Sequence, residues 1–226
     1  NLLDEGIAPL DRMVVQLPNV VEFVYLYCAL QKIGAIPIMA LPTHRFREIS
    51  QFIELSSAVA CITPDQTKDF DYRDLVRRIR PASKTLRLGI ILGDAPEGYL
   101  SLTTLIERPS KRAPGELREI AIDPEDPALF QLSGGTTGIP KLIPRSHNDY
   151  VYNSKMAAAV TGVGPERVML SVLPLAHNLP LACPGIQGYF LHGAKVVLAN
   201  STRSEDIFAL IEPYRRRARA VDPFDQ

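Results

Sequence analysis

The apolar positions along the chain follow two alternating spacings. Continuous apolar runs predict buried strands near residues 11–17, 35–41, 57–63, 88–92, 128–133, 168–173 and 195–199. The segments between most of them repeat apolar residues every three or four positions, which is typical of amphipathic helices, near residues 19–34, 47–56, 75–79, 149–160, 181–191 and from 205 onward. Strands that alternate with helices predict an α/β fold, a layered and mainly parallel sheet with flanking helices.

The first predicted helix has recognisable ends. Asn19 is a candidate N-cap, with Glu22 three residues later as in a capping box, and Gly34 is a natural stop. The apolar face is predicted to contain Val21, Val24, Tyr25 and Cys28. In the second helix, the apolar positions are Ile49, Phe52 and Ile53, with Leu55 as a further candidate. The charged, proline-rich stretch 107–127 is predicted to be a surface connection.

Composition narrows the class of protein. The 226 residues are 46% hydrophobic, enough for a sizeable core in one or two domains. The 25 basic and 25 acidic residues cancel, which argues against a general nucleic-acid or membrane-surface binder. The basic run RRRAR at 215–219 is expected to be solvated chain, and no apolar run is long enough to predict a membrane span.

Cysteine and histidine usage favours a reducing compartment and predicts no metal site. Cys28, Cys61 and Cys183 are odd in number and widely spaced, without a CxxC pair, so we expect a cytoplasmic protein. The four histidines, at 44, 147, 177 and 192, have no metal-ligand spacing.

The stretch SGGTTGIPK at 133–141 carries the strongest chemical signal. Its glycines let a bulky anion approach the backbone, its hydroxyls add donors, and Lys141 adds a positive charge. Phosphate suits this combination, although a glycine-rich stretch alone is more often a surface turn. The spacing fits neither the P-loop nor the G-x-G-x-x-G fingerprint, because Ile139 stands where the P-loop needs its second glycine and Thr136 interrupts the fingerprint. The loop therefore belongs to a third class.

This loop resembles the phosphate-binding signature of the acyl-adenylate-forming enzymes. Four segments are similar to the aryl-acid adenylating branch, the 2,3-dihydroxybenzoate–AMP and salicyl–AMP ligases of siderophore biosynthesis: LPTHRFREI at 41–49, FDYRDL at 70–75, FQLSGGTTGIPKLIPRSHNDY at 130–150 and LPLAHNLPLACPG at 173–185. The resemblance extends from about Asp11 to Glu212. It implies ATP and Mg²⁺ as cofactors, an aryl acid as substrate, and an aryl carrier protein whose phosphopantetheine thiol receives the aryl group.

The resemblance also implies roles for individual residues. The phosphate-binding set comprises Ser133, Gly134, Gly135, Thr136, Thr137, Gly138 and Lys141. Lys141 and His177 are the expected catalytic residues, with His177 beside the α-phosphate and the carboxylate. His177, Asn178 and Cys183 are the expected substrate-binding residues, and no residue is assigned to a metal. Cysteine at 183, where 2,3-dihydroxybenzoate ligases carry serine, favours salicylate.

Several alternatives stay open at this stage. A His-Asn pair after a strand is also typical of a capped turn, and a single cysteine is also typical of a core. His147 and Asn148 are expected either to cap the following helix or to lie near the nucleotide. His44, Arg45 and Arg47 are interpreted as structural. For function, the alternatives are an aryl- or acyl-CoA synthetase and a nucleotide-binding fragment without catalysis.

The later motifs of the resembled family are missing from this sequence. The expected boundaries are therefore an incomplete N-terminal adenylation domain at 1–212 and a tail at 213–226 that departs from the family pattern. Family members have an N-terminal domain about twice this length, which contains the ribose-binding aspartate, and a C-terminal domain with a catalytic lysine. We expect this piece alone to be inactive.

Overall fold

The chain divides into two compact units between Tyr150 and Val151. The computed structural model describes residues 1–67, 69–113, 115–133 and 140–219, with side chains as far as residue 214. The expected boundary between residues 212 and 213 stays a prediction. Each unit is built from the elements that the apolar pattern predicts, with a few additions.

The first unit is an α/β sheet domain. Its strands are β1 (Arg12–Val15), β2 (Ile36–Met39), β3 (Ala60–Pro64), β4 (Gln66–Thr67), β5 (Phe70–Asp71), β6 (Leu88–Leu92), β7 (Leu100–Ser101), β8 (Pro127–Leu132) and β9 (Leu142–Ser146). Its helices are α1 (Val21–Ile33), α2 (Phe46–Ser56), α3 (Tyr72–Ile79), α4 (Leu102–Glu107) and the start of α5 (His147–Thr161). Single 3₁₀ turns lie at Leu3–Glu5, Arg80–Ala82 and Glu116–Arg118.

Seven strands form the main sheet in the order β7-β6-β3-β1-β2-β8-β9. Every neighbouring pair is parallel except β8 and β9, which are antiparallel. The predicted α/β class with a mainly parallel sheet is confirmed. Strand β9 was not predicted, because its sequence LIPRS contains a proline and polar residues and lies at the sheet edge, where such residues are tolerated.

Helix α2 covers one part of the core with three of its four apolar candidates, and the fourth, Leu55, is 56% exposed. Ile49, Phe52 and Ile53 are at most 1% exposed and pack with Val14 of β1 and Cys61 of β3. These apolar side chains recur at three- and four-residue spacing, so burying one helical face removes them all from water. Burial raises the pKa of the Cys61 thiol to about 12.

Helix α1 differs from the prediction in its cap and in its buried face. The N-cap is Val20, one residue after the predicted Asn19. The predicted face is also wrong, because Val21 and Tyr25 are 47% and 53% exposed and Cys28 is exposed as well. The buried residues are Phe23, Leu26, Tyr27, Leu30 and Ile33. The helix carries two apolar stripes, and the one with the larger side chains faces the core.

The second unit contains a two-stranded parallel sheet and short helices. After α5 come β10 (Val168–Ser171), α6 (Asn178–Ala182), α7 (Gly185–Leu191), β11 (Lys195–Leu198) and α8 (Ser204–Arg219). The single helix predicted at 181–191 is two helices. Pro184 lacks an N–H, and Gly185 has a φ of 54°, a backbone conformation that no continuous right-handed helix contains.

Candidate functional site

The predicted phosphate loop joins β8 to β9, and its two ends are hydrogen-bonded to each other. The Ser133 N–H donates to the Lys141 carbonyl oxygen at 3.1 Å, and the Lys141 N–H donates to the Ser133 Oγ at 3.0 Å. We call this pair the loop neck. The five predicted residues at 134–138 lie outside the described residues, so the structure places only Ser133 and Lys141 of the phosphate-binding set. The neck lies beyond the carboxyl end of β8, the end of parallel strands where α/β folds bind ligands.

The Lys141 side chain stands exposed beside the neck. Within the part of the chain that the structure describes, its ammonium forms no ion pair with a carboxylate. Its backbone is held by the ladder, because Leu132 pairs with Leu142 directly beside it. The arrangement combines a fixed backbone with a mobile positive charge, which suits the binding of an anion.

The hairpin behind the neck is anchored to the start of α5. Gln131 of β8 is nearly buried, and its Nε2 donates to the hydroxyl oxygen of Tyr150 at 3.1 Å. Tyr150 is 1% exposed. The Arg145 guanidinium forms two hydrogen bonds with Asp149, one of them 3.0 Å long, and these hold the Asp149 pKa below its usual value. The neck is thus supported by packing and by paired charges.

His147 and Asn148 tie α5 to the preceding connection. Their backbone N–H groups donate to the carbonyl oxygens of Asp126 and Pro124, at 3.2 Å and 2.9 Å. The Asn148 amide also donates to the Glu125 carboxylate at 2.5 Å. Burial lowers the His147 pKa, while the Asp126 charge acts in the opposite direction. The side-chain cap of α5 comes from Ser146 instead, whose Oγ accepts the Asp149 N–H at 3.2 Å.

His177 lies at the N-cap of α6. Its Nδ1 accepts the Leu179 N–H at 3.3 Å, and the ring is exposed. The alternative interpretation of His177 as a helix cap therefore agrees with the structure. The cap uses Nδ1 and leaves Nε2 as the ring atom that can contact a ligand.

Asn178, the first residue of α6, contacts Cys183, the residue that ends this short helix. The Asn178 Nδ2 lies 3.4 Å from the Cys183 Sγ, and both residues are half-buried. Cys183 also lines a cavity of about 270 Å³, which we call the thiol pocket. Most of its other walls are apolar, and they include Met169, Leu173, Leu179 and Tyr189. An apolar concavity with a few polar groups on one wall is the usual form of a small-molecule site.

One residue of this cluster was missed in the sequence. The Asn153 side chain of α5 donates to the Ala182 carbonyl oxygen at 2.8 Å and to the Cys183 Sγ at 3.2 Å. The only signal in the sequence is a pair of small polar residues, Asn153 and Ser154, within the predicted helix. Nothing in that signal indicates a partner thirty residues away.

Two of the residues interpreted as structural, His44 and Arg45, have structural contacts. The Gln16 amide donates to the carbonyl oxygens of Leu41 and His44, and the His44 Nδ1 accepts the Leu41 N–H at 3.0 Å. Burial lowers the His44 pKa. The Arg45 guanidinium lies 4.3 Å from the centroid of the Phe70 ring.

Among the described residues, no group of three or more histidine, cysteine or acidic side chains lies close enough to hold a metal ion. None of the helices in the same residues has the length and apolar character that crossing a bilayer requires.

A mainly parallel sheet with a glycine-rich sequence after the carboxyl end of β8 is an α/β architecture, and in this class ligands bind at the carboxyl ends of the strands. The family model described as AMP-binding enzyme matches residues 1–219, so the chain belongs to that family. The likeness to aryl-acid adenylating enzymes is confirmed as well. The chain is 43% identical to a 2,3-dihydroxybenzoate-AMP ligase of Bacillus subtilis and 41% identical to a salicyl-AMP ligase / salicyl-S-ArCP synthetase of Mycobacterium tuberculosis, over 96% of its length in both cases.

Another relative and one solved structure agree with this. Triostin synthetase I of Streptomyces triostinicus is 48% identical over 93% of the chain. The apo structure of MbtA from Mycobacterium smegmatis superposes with a TM-score of 0.85 at 43% identity, over 94% of this chain and 38% of that one. The chain spans 38%, 39% and 38% of the triostin synthetase, the dihydroxybenzoate ligase and the salicyl ligase. The likeness therefore covers less than half of each relative, and the activity of the whole protein is proposed below.

Proposed function

We propose that the full-length protein activates an aryl acid as its aryl-AMP and passes the aryl group to a carrier protein. The preferred acid is salicylate, with 2,3-dihydroxybenzoate second, and the setting is siderophore biosynthesis in the cytoplasm. The observation that supports this best is the identity of 41–43% to two aryl-acid AMP ligases over 96% of the chain. A relative from Pseudomonas aeruginosa, named pyochelin synthase PchD, is 40% identical over 98% of the chain.

In the proposed reaction the acid carboxylate attacks the α-phosphorus of ATP, and pyrophosphate leaves. The aryl-AMP carbonyl is then attacked by the phosphopantetheine thiol of the carrier protein, and AMP leaves. Neither step needs a nucleophile from the enzyme, so the protein contributes positioning and stabilisation of charge.

The loop residues Ser133 to Gly138 and Lys141 are proposed to bind the β- and γ-phosphates. The support comes from the loop neck, which fixes the backbone on both sides, and from the exposed Lys141 ammonium beside it. Mg²⁺ would offset phosphate charge when bound, and no residue of this chain is assigned to hold it.

The acid is proposed to bind against Asn178 and Cys183, with His177 at its carboxylate end. The thiol pocket is of a size and character that suit an aromatic ring. His177 is the weakest of the three assignments by contact, because its Nδ1 already caps α6 and only Nε2 is left to meet the carboxylate or the α-phosphate.

The preference for salicylate rests on the chemistry of the Cys183 side chain. A thiol is a weak hydrogen-bond partner, so a 3-hydroxyl that faces it would lose water and gain little. A pocket that lacks a partner rejects an added hydroxyl by about 100-fold at most. Dihydroxybenzoate is therefore expected to remain a weaker substrate.

Acid-dependent ATP–pyrophosphate exchange by the full-length protein tests this function. We expect exchange with salicylate and, more weakly, with 2,3-dihydroxybenzoate, and little with an aliphatic acid of similar size. Exchange with no aryl acid would overturn the proposal and leave the non-catalytic alternative.

An aryl-CoA ligase is the second candidate. The chain is 41% identical to a 2-hydroxy-7-methoxy-5-methyl-1-naphthoate–CoA ligase of Streptomyces carzinostaticus. Both enzymes would form the aryl-AMP, and they differ in the acceptor thiol. A comparison of coenzyme A with a phosphopantetheinylated carrier protein as acceptor separates them, and faster transfer to coenzyme A would favour the CoA ligase.

A further inference from the structure

Two side-chain amides contact the thiol of Cys183. The Asn153 Nδ2 donates to the Sγ at 3.2 Å, and the Asn178 Nδ2 donates to the same atom at 3.4 Å. The first amide belongs to α5 and the second to α6, so the sulfur is hydrogen-bonded to two different helices. Cys183 is also one of the residues that line the thiol pocket.

The orientation of the Asn153 amide follows from a third contact. Its Nδ2 also donates to the Ala182 carbonyl oxygen at 2.8 Å, and only the NH₂ end of the amide can donate to a carbonyl. With the amide in this orientation, its Oδ1 is 3.6 Å from the Sγ, within reach of an S–H donor. The thiol both accepts from Asn153 and donates to it.

The two hydrogen bonds between Cys183 and Asn153 determine which groups the thiol can offer to the pocket. A thiol carries a single hydrogen, and here that hydrogen is directed at the Asn153 Oδ1. The sulfur lone pairs already accept two N–H groups. The surface that Cys183 presents to the thiol pocket therefore offers no donor, and it is a poor acceptor for a further hydroxyl.

We propose that Asn153 is a specificity-determining positioning residue of the acid pocket. By holding the Cys183 thiol and its hydrogen on the protein side, it makes the pocket wall apolar toward a ring position that carries no hydroxyl. The inference rests on the proposed aryl-acid activation and deepens it. Specificity then belongs to the Asn153–Cys183 pair and not to the cysteine alone.

Ser154 offers a matched control on the same helix. It is fully buried, and its Oγ donates to the same Ala182 carbonyl oxygen at 3.0 Å, but it forms no hydrogen bond with the thiol among the described residues. Ser154→Ala loosens the same turn without releasing the thiol. A purely structural role for Asn153 would make the two variants behave alike.

The experiment measures kcat/KM for salicylate and for 2,3-dihydroxybenzoate in ATP–pyrophosphate exchange by the full-length protein. In Asn153→Ala the ratio should move toward dihydroxybenzoate by about 2- to 10-fold, the scale of one hydrogen bond. In Ser154→Ala the ratio should stay within about twofold of the wild type. An unchanged ratio in Asn153→Ala, or an equal shift in Ser154→Ala, would overturn the inference.

Alkylation of Cys183 gives a readout that does not depend on turnover. Peptide mapping after iodoacetamide treatment should show labelling of Cys183 about 2- to 10-fold faster in Asn153→Ala than in the wild type, with the exposed Cys28 as an internal reference. If the alanine variant does not fold, Asn153→Ser is used, whose side chain is too short to bridge both partners. Equal labelling rates would count against the inference.

The two proposals fail in distinguishable ways. If the wild-type protein exchanges neither acid, the proposed function falls and this inference falls with it. If the wild type activates salicylate but the Asn153 variants keep its preference and its labelling rate, only the inference falls.

Discussion

The backbone N–H of Lys141 donates to the side-chain oxygen of Ser133 at 3.0 Å, across a loop whose two ends are also joined through their main chains. This contact fixes where the lysine begins relative to the end of β8. The ammonium itself is left exposed at the end of a flexible side chain. The loop neck therefore positions Lys141 through its backbone and does not use its ammonium group.

Removing the charge of Lys141 should impair adenylation. We expect Lys141→Ala to lower kcat/KM for aryl-AMP formation by roughly 10- to 1,000-fold, the scale of one preorganised charge-stabilising group. Lys155→Ala, which removes an exposed lysine of α5, is the matched control and should leave the value within about twofold. An unchanged kcat/KM in Lys141→Ala would refute its assignment as the phosphate-binding lysine.

The support behind the loop neck should be measurable as stability. Tyr150→Phe removes the acceptor of the buried Gln131 amide, and we expect the free energy of unfolding to fall by about 1–3 kcal/mol. Urea denaturation of the variant and of Tyr152→Phe, whose ring is 66% exposed, provides the comparison. Similar values for both variants would show that the Gln131 contact contributes nothing.

The buried face of α1 gives a stability contrast of its own. Leu26 is 3% exposed, and Leu26→Ala should cost about 2–5 kcal/mol because it leaves a cavity. Val21 is 47% exposed, and Val21→Ala should change the free energy of unfolding by about 0.5 kcal/mol or less. The reverse order in denaturation experiments would restore the face that the sequence pattern first predicted.

The two faces of α1 show which parts of the fold the sequence pattern could predict and which it could not. Apolar runs located five of the seven strands of the main sheet, all except β7 and β9, and the spacing in α2 identified its large buried side chains. The pattern in α1 failed because two apolar stripes compete on one helix, and only the tertiary packing chooses between them. Strand β9 escaped prediction because an edge strand needs no continuous apolar run.

Some residues of the candidate site could be predicted from local sequence, and others could not. Local motifs were sufficient to propose Ser133, Lys141, Asn178 and Cys183, because each lies within a contiguous string. Asn153 acts across thirty residues of sequence, and a long-range hydrogen bond of this kind leaves no local pattern. The paired roles of backbone and side chain at Ser133 likewise became visible only in the folded hairpin.

Acid should destabilise the first unit through His44. Burial lowers the folded-state His44 pKa, so the unfolded chain binds the proton more tightly. The corresponding stability is present above the unfolded pKa, about 6.5, and is lost as pH falls from there through the folded value. Protonation also removes the acceptor for the Leu41 N–H.

Unfolding free energies measured between about pH 8 and pH 5 check this expectation. We expect His44→Gln to be less stable than the wild type at pH 8 and to show a shallower decline toward pH 5. His192→Gln, at an exposed position, should keep the wild-type slope. A wild-type slope in His44→Gln as well would assign the acid sensitivity to other groups.

The central claim is that the protein is an aryl-acid adenylating enzyme whose Cys183 faces the ring. Its most direct test is ATP–pyrophosphate exchange by the full-length wild type and Cys183→Ser with salicylate and 2,3-dihydroxybenzoate. We predict that the wild type prefers salicylate by about 100-fold or less, and that the serine variant moves toward dihydroxybenzoate because its hydroxyl can pair with the 3-hydroxyl. Equal or reversed preference in the wild type, with no movement in the serine variant, would contradict the account.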